Sequence, residues 1–367
     1  MMPTAAFADA IRELPELADL RDVIERFGDR AETHVLATVR HDGVEFPIIG
    51  VVVGATRPSA PTLALVGGVH GLERIGTRVV LAGMHTIATF LTWDRMLNAA
   101  LADLRVVFLP LLNPVGMWMR RRCNGSGVDL MRNAPPHPDA SATPLVGGQR
   151  VSNKLPWYQG DEGAPMQLES RVLCDFIREW VFPARQSIVL DVHSGFGTVD
   201  RIWFPYAYTR RPFPSLAEVY ALKRLLDETL PNHVYAMEPI SSSYLVQGDL
   251  WDHLYDEHGD GRSPDTRHRT LDQAHRLPRE PRYRGPFLPL TLELGSWLWV
   301  KKNPRQLFDV LGGFNPIRPH RLRRTLRRHI PLIEFLLRAV AGAEIWSVFD
   351  GHERQRMESE AFSLWFT

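Results

Sequence analysis

Four continuous apolar runs, separated by segments of helical periodicity, constrain the fold of this chain more than any other feature. The apolar runs cover residues 63–69, 105–112, 187–192 and 289–294, and the helical segments cover residues 75–91, 167–182 and 215–229. Strands that are apolar at consecutive positions are buried on both faces, which is typical of parallel strands covered by helices. The sequence therefore predicts an α/β fold with a mostly parallel, mixed central sheet and helices on both faces.

The first part of the chain has a different pattern from the rest. Residues 7–28 carry apolar side chains at helical spacing, which predicts a helix or a helical hairpin broken at Pro15. Residues 34–39 and 45–53 follow as two strands joined by a hairpin turn. We expect an N-terminal helical extension over residues 1–30, a main domain over residues 31–345 and a C-terminal tail over residues 346–367.

Two polar segments interrupt the main domain. Residues 256–285 are rich in Arg, Asp, His, Pro and Gly, which predicts a long surface loop insertion. Residues 318–328 are rich in arginine, but Leu322, Leu326 and following apolar positions keep helical spacing. We interpret these arginines as the solvated face of a packed helix rather than as a nucleic-acid patch.

Charge and composition set the expected environment. The formal net charge is +1, because 43 Lys and Arg nearly balance 42 Asp and Glu. Neither a signal-peptide pattern nor an apolar run of about 18 residues is present in the sequence, and the two cysteines do not indicate a disulfide framework. We expect a soluble cytoplasmic protein with no nucleic-acid or membrane partner, and the sequence leaves the oligomeric state open.

Polar side chains mark the ends of the apolar strands. His70 and Glu73 follow the first run, Asp191 and His193 close the third, and Glu293 lies within the fourth. In an open α/β sheet the ligand crevice lies at the carboxyl ends of the strands, and two close ligands with a distant third are the usual spacing of a catalytic zinc site. Taken singly, His193 is more often a core or helix-cap histidine, and Asp191 either orients a neighbour or caps a helix. Glu293 has the alternative of being half of an ion pair, but its apolar setting favours a raised pKa, which suits a general base.

Further motifs occur in a fixed order with these residues. They are His70-x-x-Glu73, Asn113-Pro, Arg122 followed by Gly-Val-Asp-Leu-x-Arg-Asn over 127–133, His193-Ser-Gly and Glu293. The set resembles the zinc carboxypeptidases of the carboxypeptidase A type, and the resemblance extends from about residue 34 to 300. It implies a zinc carboxypeptidase-like catalytic domain over residues 31–345 and one zinc ion per chain as the cofactor.

The resemblance also implies roles for individual residues at the metal. His70, Glu73 and His193 match the zinc ligands, two His and one Glu, which is the ligand set of carboxypeptidase A itself. Glu293 matches the general base that activates the zinc-bound water. Asp129 matches the carboxylate that orients the first zinc histidine.

Other matched residues bind the substrate. Arg122 matches the arginine that polarises the scissile carbonyl and stabilises its oxyanion, and Arg132 with Asn133 matches the group that holds the terminal carboxylate. Met131 departs from the family pattern, which has an Asn before the second arginine, so an amide donor is missing. For the mobile tyrosine of the family we favour Tyr255, and Tyr244 is the alternative.

The function that these residues predict is a zinc-dependent hydrolase for a C-terminal or C-terminal-like amide bond. Its partner would be a peptide or an N-acyl amino acid that carries a carboxylate. The rival is a deacylase of the aspartoacylase and succinylglutamate desuccinylase type, which shares His-x-x-Glu and a distant His. A non-catalytic zinc- or peptide-binding protein needs neither Glu293 nor Arg122, so we disfavour that class.

Overall fold

The computed structural model describes residues 7–138, 140, 142–259 and 286–367. These residues form eight strands and twelve α-helices. The strands are β1 (Ala31–His41), β2 (Val44–Gly54), β3 (Thr62–Gly67), β4 (Arg105–Leu109), β5 (Ser187–Ser194), β6 (Arg201–Phe204), β7 (Ala236–Pro239) and β8 (Phe287–Leu294). The helices are α1 (Ala8–Glu13), α2 (Pro15–Phe27), α3 (Arg74–Phe90), α4 (Arg95–Ala100), α5 (Pro114–Trp118), α6 (Leu168–Trp180), α7 (Leu216–Thr229), α8 (Leu250–Gly259), α9 (Trp297–Lys302), α10 (Pro319–Ala341), α11 (Ala343–Trp346) and α12 (Gly351–Trp365).

All eight strands belong to one mixed sheet in the order β1-β2-β4-β3-β5-β8-β6-β7. The four central strands β4, β3, β5 and β8 are parallel to one another. The β1–β2, β2–β4 and β8–β6 pairs are antiparallel, and the edge strand β7 is parallel to β6. The predicted α/β fold with a mostly parallel, mixed sheet is therefore confirmed. Because β4 and β5 lie on opposite sides of β3, the strand order reverses there and a crevice opens between β3 and β5.

Helices cover both faces of this sheet. Helices α3 and α10 pack together and contact β3 and β5, while α6 and α8 contact each other and the strands β1 and β8. The Arg-rich stretch lies in α10, as predicted: Leu332 and Leu336 are buried, whereas Arg323, Arg324 and Arg327 are exposed. The arginines are thus the outer face of a helix whose inner face completes the core.

A buried carboxylate links the N-terminal helices to helix α3 through ion pairs. Helices α1 and α2 form the hairpin broken at Pro15, and their apolar side chains join the same core as the sheet. Glu16 is 1% exposed and its carboxylate lies 3.2 Å from guanidinium nitrogens of both Arg74 and Arg78 at the start of α3. Residues 1–6 of the predicted extension lie outside the described residues.

Two other predicted segments are the loop insertion and the C-terminal tail. Residues 256–259 of the predicted loop end helix α8, and residues 260–285 lie outside the described residues. The predicted C-terminal tail contains α12, which begins with a capping box between Asp350 and Glu353 and packs against α7. Every helix in the described ranges is too short or too polar to cross a membrane.

Candidate metal centre

The crevice between β3 and β5 holds the residues that the sequence places at the strand ends. His70 lies in the turn after β3, and Glu73 immediately precedes the first residue of α3. His193 lies near the end of β5, and Glu293 of β8 is its partner in the parallel ladder. The turn of His70 packs closely, because a Cβ on Gly71 would lie 2.1 Å from the backbone of Gly116.

Three ligand atoms converge at this point. His70 Nδ1 lies 2.9 Å from Glu73 Oε1, and His193 Nδ1 lies 3.1 Å from Glu73 Oε2. The two Nδ1 atoms are 3.2 Å apart. All three side chains are buried, and among the described residues they form the one group of His, Cys, Asp and Glu side chains close enough to hold a metal ion.

Each histidine is oriented by a buried carboxylate on its other nitrogen. His70 Nε2 lies 3.0 Å from Asp129 Oδ1, and His193 Nε2 lies 2.7 Å from Asp191 Oδ2. Trp251 Nε1 donates a further hydrogen bond of 2.9 Å to Asp191 Oδ2. Such carboxylates fix the ring and leave the opposite nitrogen for a metal. Asp191 thus orients a neighbour, and Trp251 is a supporting residue that sequence reasoning missed.

The donor set fits zinc. Two imidazole nitrogens and one carboxylate are the three protein ligands of many catalytic zinc sites, which keep a further position for water or substrate. Both histidines present the same nitrogen to the centre, and Glu73 is held by the backbone N–H of Ser194 at 2.9 Å. These contacts make His70, Glu73 and His193 suitable for holding the ion.

Electrostatics at the centre favour a cation. Burial alone would lower the pKa of His193, but Asp191 and Glu73 outweigh it and raise that pKa well above its ordinary value. Burial opposes ionisation of Glu73, yet His70 and His193 hold its pKa well below its usual range. Burial, reinforced by the charge of Glu73, raises the pKa of Glu293 to about 8. Without a metal, the site therefore retains protons at neutral pH.

Zinc binding should release protons. His193 and Glu293 have raised pKa values in the metal-free protein, and a bound cation favours their deprotonated forms. We expect roughly one to two protons released per zinc at pH 7, and weaker zinc binding as the pH falls. Calorimetric titration in two buffers with different ionisation enthalpies measures this number, and identical heats in both buffers would contradict it.

Two arginines line the approach to the centre. Arg122 donates from Nε to Asp129 Oδ2 at 2.8 Å and from Nη1 to Glu73 Oε1 at 3.1 Å. Arg132 donates from Nη1 to the same Asp129 oxygen at 3.4 Å and from Nε to the carbonyl of Val146 at 2.9 Å. Asp129 therefore orients a histidine and both arginines together. Its own burial opposes ionisation, but these arginines lower the pKa of Asp129 well below its usual value.

Asn133 is not placed for substrate binding. Its Nδ2 donates to the carbonyl of Gln159 at 2.9 Å, and its Oδ1 accepts from the backbone N–H of Gln167 at 2.6 Å. The structure therefore does not bring the Asn133 amide to the metal ligands, because both of its polar atoms hold the surrounding loops. Met131 beside it is 6% exposed and belongs to the hydrophobic core.

Tyr255 is also not at the centre, which corrects the sequence-based assignment. Its hydroxyl lies 2.7 Å from Ser215 Oγ, and its ring contacts Phe213 and Phe287 in the core. Tyr244 is the tyrosine beside the site, where it interacts with Arg132 and the charges of Arg122 and Glu293. Tyr255 shares the buried face of α8 with Trp251, which is one helical turn earlier, and that spacing is the signal that would have identified it as a core residue.

The two tyrosines provide a matched pair of variants. Tyr244→Phe removes a hydroxyl that contacts Arg132, and losing a hydrogen bond to a charged group costs about 1.5–3 kcal/mol, or roughly 10–100-fold in kcat/KM. Tyr255→Phe removes a hydroxyl bound to Ser215 and should change thermal stability but not kcat/KM. Steady-state kinetics of both variants decide this, and a selective loss of activity in Tyr255→Phe would reverse the assignment.

Comparisons with known proteins concern the family and the fold of the chain. A sequence model of the zinc carboxypeptidases matches residues 20–267. The fold resembles thrombin-activatable fibrinolysis inhibitor, with 19% identity and a TM-score of 0.61 over 88% of this chain and 72% of that one. The bovine thrombin-activatable fibrinolysis inhibitor, solved in complex with tick carboxypeptidase inhibitor, has 18% identity and a TM-score of 0.58. That match covers 88% of this chain and 94% of the bovine chain. Carboxypeptidase A of Helicoverpa armigera has 18% identity and a TM-score of 0.61, over 88% of this chain and 72% of that one. At these identities the structural likeness concerns the fold alone.

Proposed function

The chain belongs to the zinc carboxypeptidase family, and we propose that it is a zinc-dependent hydrolase that cleaves the amide bond next to a free carboxylate at the end of a peptide. The family and the fold support a zinc metallohydrolase. The contacts around His70, Glu73 and His193 support the proposed roles of individual residues and the proposed substrate class.

The position of Glu293 supports catalysis above mere metal binding. Glu293 pairs with His193 across neighbouring parallel strands, and its Oε1 accepts a hydrogen bond of 2.9 Å from the N–H of Phe196. It is buried beside the metal ligands without being one of the three that converge. Burying such a carboxylate is costly, and a binding protein gains nothing from it. A general base requires this position and a raised pKa.

The proposed reaction is hydrolysis of an amide. Bound zinc supplies a Lewis acid that polarises the scissile carbonyl and lowers the pKa of water toward ~7. Glu293 accepts a proton from the attacking water and passes it to the leaving amine. Attack forms the new C–O bond and a tetrahedral oxyanion. The C–N bond then breaks, giving a carboxylate and an amine that leaves as an ammonium ion carrying both protons of the water. Arg122 supplies positive charge to the oxyanion that develops before the bond breaks.

Arg132 is our candidate for recognition of the substrate carboxylate. A guanidinium presents paired N–H donors that match the geometry of a carboxylate. Asp129 and the Val146 carbonyl hold two of its nitrogens in place, and Tyr244 interacts with the same side chain. We therefore propose that the substrate is a peptide, or a peptide-like molecule, with a free carboxylate.

A second candidate is hydrolysis of N-acyl amino acids. The observation that favours it is Met131, which lies buried where the family has an amide donor for a terminal carboxylate. An ordinary peptide terminus would then be held by fewer hydrogen bonds. A substrate that presents its carboxylate from another direction would lose fewer of these hydrogen bonds.

The decisive experiment compares both substrate classes on the zinc-loaded protein. C-terminal peptides and N-acyl amino acids are assayed beside the same molecules with an amidated carboxylate. Amidation should lower kcat/KM by at least ~10-fold, because one hydrogen bond between charged groups is lost. Equal turnover of acid and amide would contradict carboxylate recognition, and hydrolysis of N-acyl amino acids alone would favour the second candidate.

A further inference from the structure

A basic pocket that shares no residue with the metal centre lies between α9 and the first half of α10. Its volume is about 230 Å³, which is room for several groups the size of a water molecule at ~30 Å³ each. Its walls carry cationic or basic side chains from both helices, namely Lys302, His320, Arg321, Arg324 and Arg328.

The positive charge of this pocket is largely unbalanced. Arg328 donates to Asp200 Oδ2 at 2.9 Å, and Arg321 donates to the backbone carbonyl of Trp299 at 3.1 Å. In the part of the chain that the structure describes, Lys302 and Arg324 form no ion pair. Asp200, the carboxylate among the lining residues, is thus already paired with Arg328, and the remaining cations line the pocket without an acidic partner there.

The start of α10 adds to this imbalance. Its first turn contains no acidic residue, and its N-cap residue Arg318 makes no capping hydrogen bond through its side chain. A helix of 23 residues carries partial positive charge at its N-terminus, where cationic side chains are unfavourable and anions are favourable. Arg321, in the first turn, therefore raises the energy of this end of the helix unless an anion lies beside it.

His329 supplies an unpartnered donor at the base of the pocket. The residue is 1% exposed, and its Nε2 makes no hydrogen bond. Its Nδ1 lies 2.9 Å from the Tyr235 hydroxyl, and its Nε2 lies 3.9 Å from Asp200 Oδ2, too far for a hydrogen bond. Burial lowers the pKa of His329 to about 4, so the ring is neutral. The nearby carboxylate favours the tautomer with a proton on Nε2, and a buried N–H without an acceptor is costly.

We propose that this pocket binds a small, multiply charged anion of the phosphate class. Lysine and arginine side chains approach from two helices, and the His329 N–H approaches from the base. A phosphate group offers several acceptor oxygens in different directions and nearly two negative charges at neutral pH. A single planar carboxylate carries half that charge and would leave part of the donor set unpaired.

Calorimetric titration of the full-length, zinc-loaded protein with inorganic phosphate tests the proposal. We expect saturable binding, and the double variant Lys302→Ala with Arg324→Ala should weaken it by at least ~10-fold. The matched control is Arg323→Ala with Arg327→Ala, which removes two charges from exposed positions of the same helix outside the pocket. Screening by salt should keep the effect of the control below ~3-fold.

Three results would overturn the proposal. The first is equal weakening of phosphate binding by both double variants, which would indicate a general charge effect. The second is phosphate binding that does not saturate. The third is acetate binding as tight as phosphate binding. A second readout is thermal unfolding, since a ligand that binds only the folded state raises Tm. Phosphate should raise the Tm of the wild type and of the control, but not that of the Lys302→Ala with Arg324→Ala protein.

Discussion

Glu293→Gln should abolish most of the activity while leaving zinc binding and the fold intact. The substitution preserves shape and still accepts the hydrogen bond from the Phe196 N–H, but an amide cannot take a proton from water. General base catalysis contributes about 10²–10⁴-fold, so kcat should fall by at least ~10². Zinc content by elemental analysis and kcat on the best substrate are measured on the same preparation.

A control for this variant is Glu218→Gln. Glu218 is another buried carboxylate, but it lies on α7 and pairs with Arg354 of α12. Its replacement should alter unfolding and leave kcat within ~2-fold, since it contacts no residue that we place at the centre. If Glu293→Gln retained full activity, the base would have to be sought elsewhere in the crevice. Loss of zinc from Glu293→Gln would instead make Glu293 a ligand.

His193→Ala should strip the site of zinc. The variant removes one of three converging ligand atoms, and it also leaves Asp191 and Glu73 without the imidazole that they contact at 2.7 Å and 3.1 Å. Loss of a partner that merely orients a ligand lowers metal affinity by 10–100-fold, so loss of the ligand itself should exceed ~100-fold. Competition with a chromophoric chelator measures the affinity.

His253→Ala provides the comparison. His253 lies on α8, where its Nε2 is 3.9 Å from Glu257, and it takes no part in the three-residue group. We expect wild-type zinc affinity from this variant. Full zinc occupancy in His193→Ala would remove His193 from the ligand set, and an equal loss in both variants would mean that the site responds to general damage.

Local periodicity predicts most of the architecture, because the central strands are buried on both faces and read as apolar runs. Strands β6 and β7 escaped prediction. Each has only four residues, and β7 consists of Ala-Met-Glu-Pro, which shows no alternation. These strands exist because β8 and then β6 provide backbone partners. That information is tertiary and cannot be found in a four-residue window.

The site was predictable to the extent that each residue sits at the end of a recognisable strand. His70, His193 and Glu293 meet because neighbouring parallel strands end at one edge of the sheet. The placement of Asn133 and Tyr255 could not be predicted, because motif position does not reveal which hydrogen bonds a side chain already makes. The Asn133 amide forms hydrogen bonds with nearby loop atoms, and the Tyr255 hydroxyl forms one with Ser215.

The separation of the metal ligands along the chain has a consequence for unfolding. Glu73 and His193 are 120 positions apart, and they stand on opposite sides of the crevice where the strand order reverses. An ion held by both would join these two points only in the folded protein, because a preformed metal site rarely exists in an unfolded chain. Its binding free energy would therefore add to the stability of the fold and would depend on the free zinc concentration. Both cysteines are free, so coordination at the crevice would be a reversible cross-link between the two halves of the sheet, made and broken without redox chemistry.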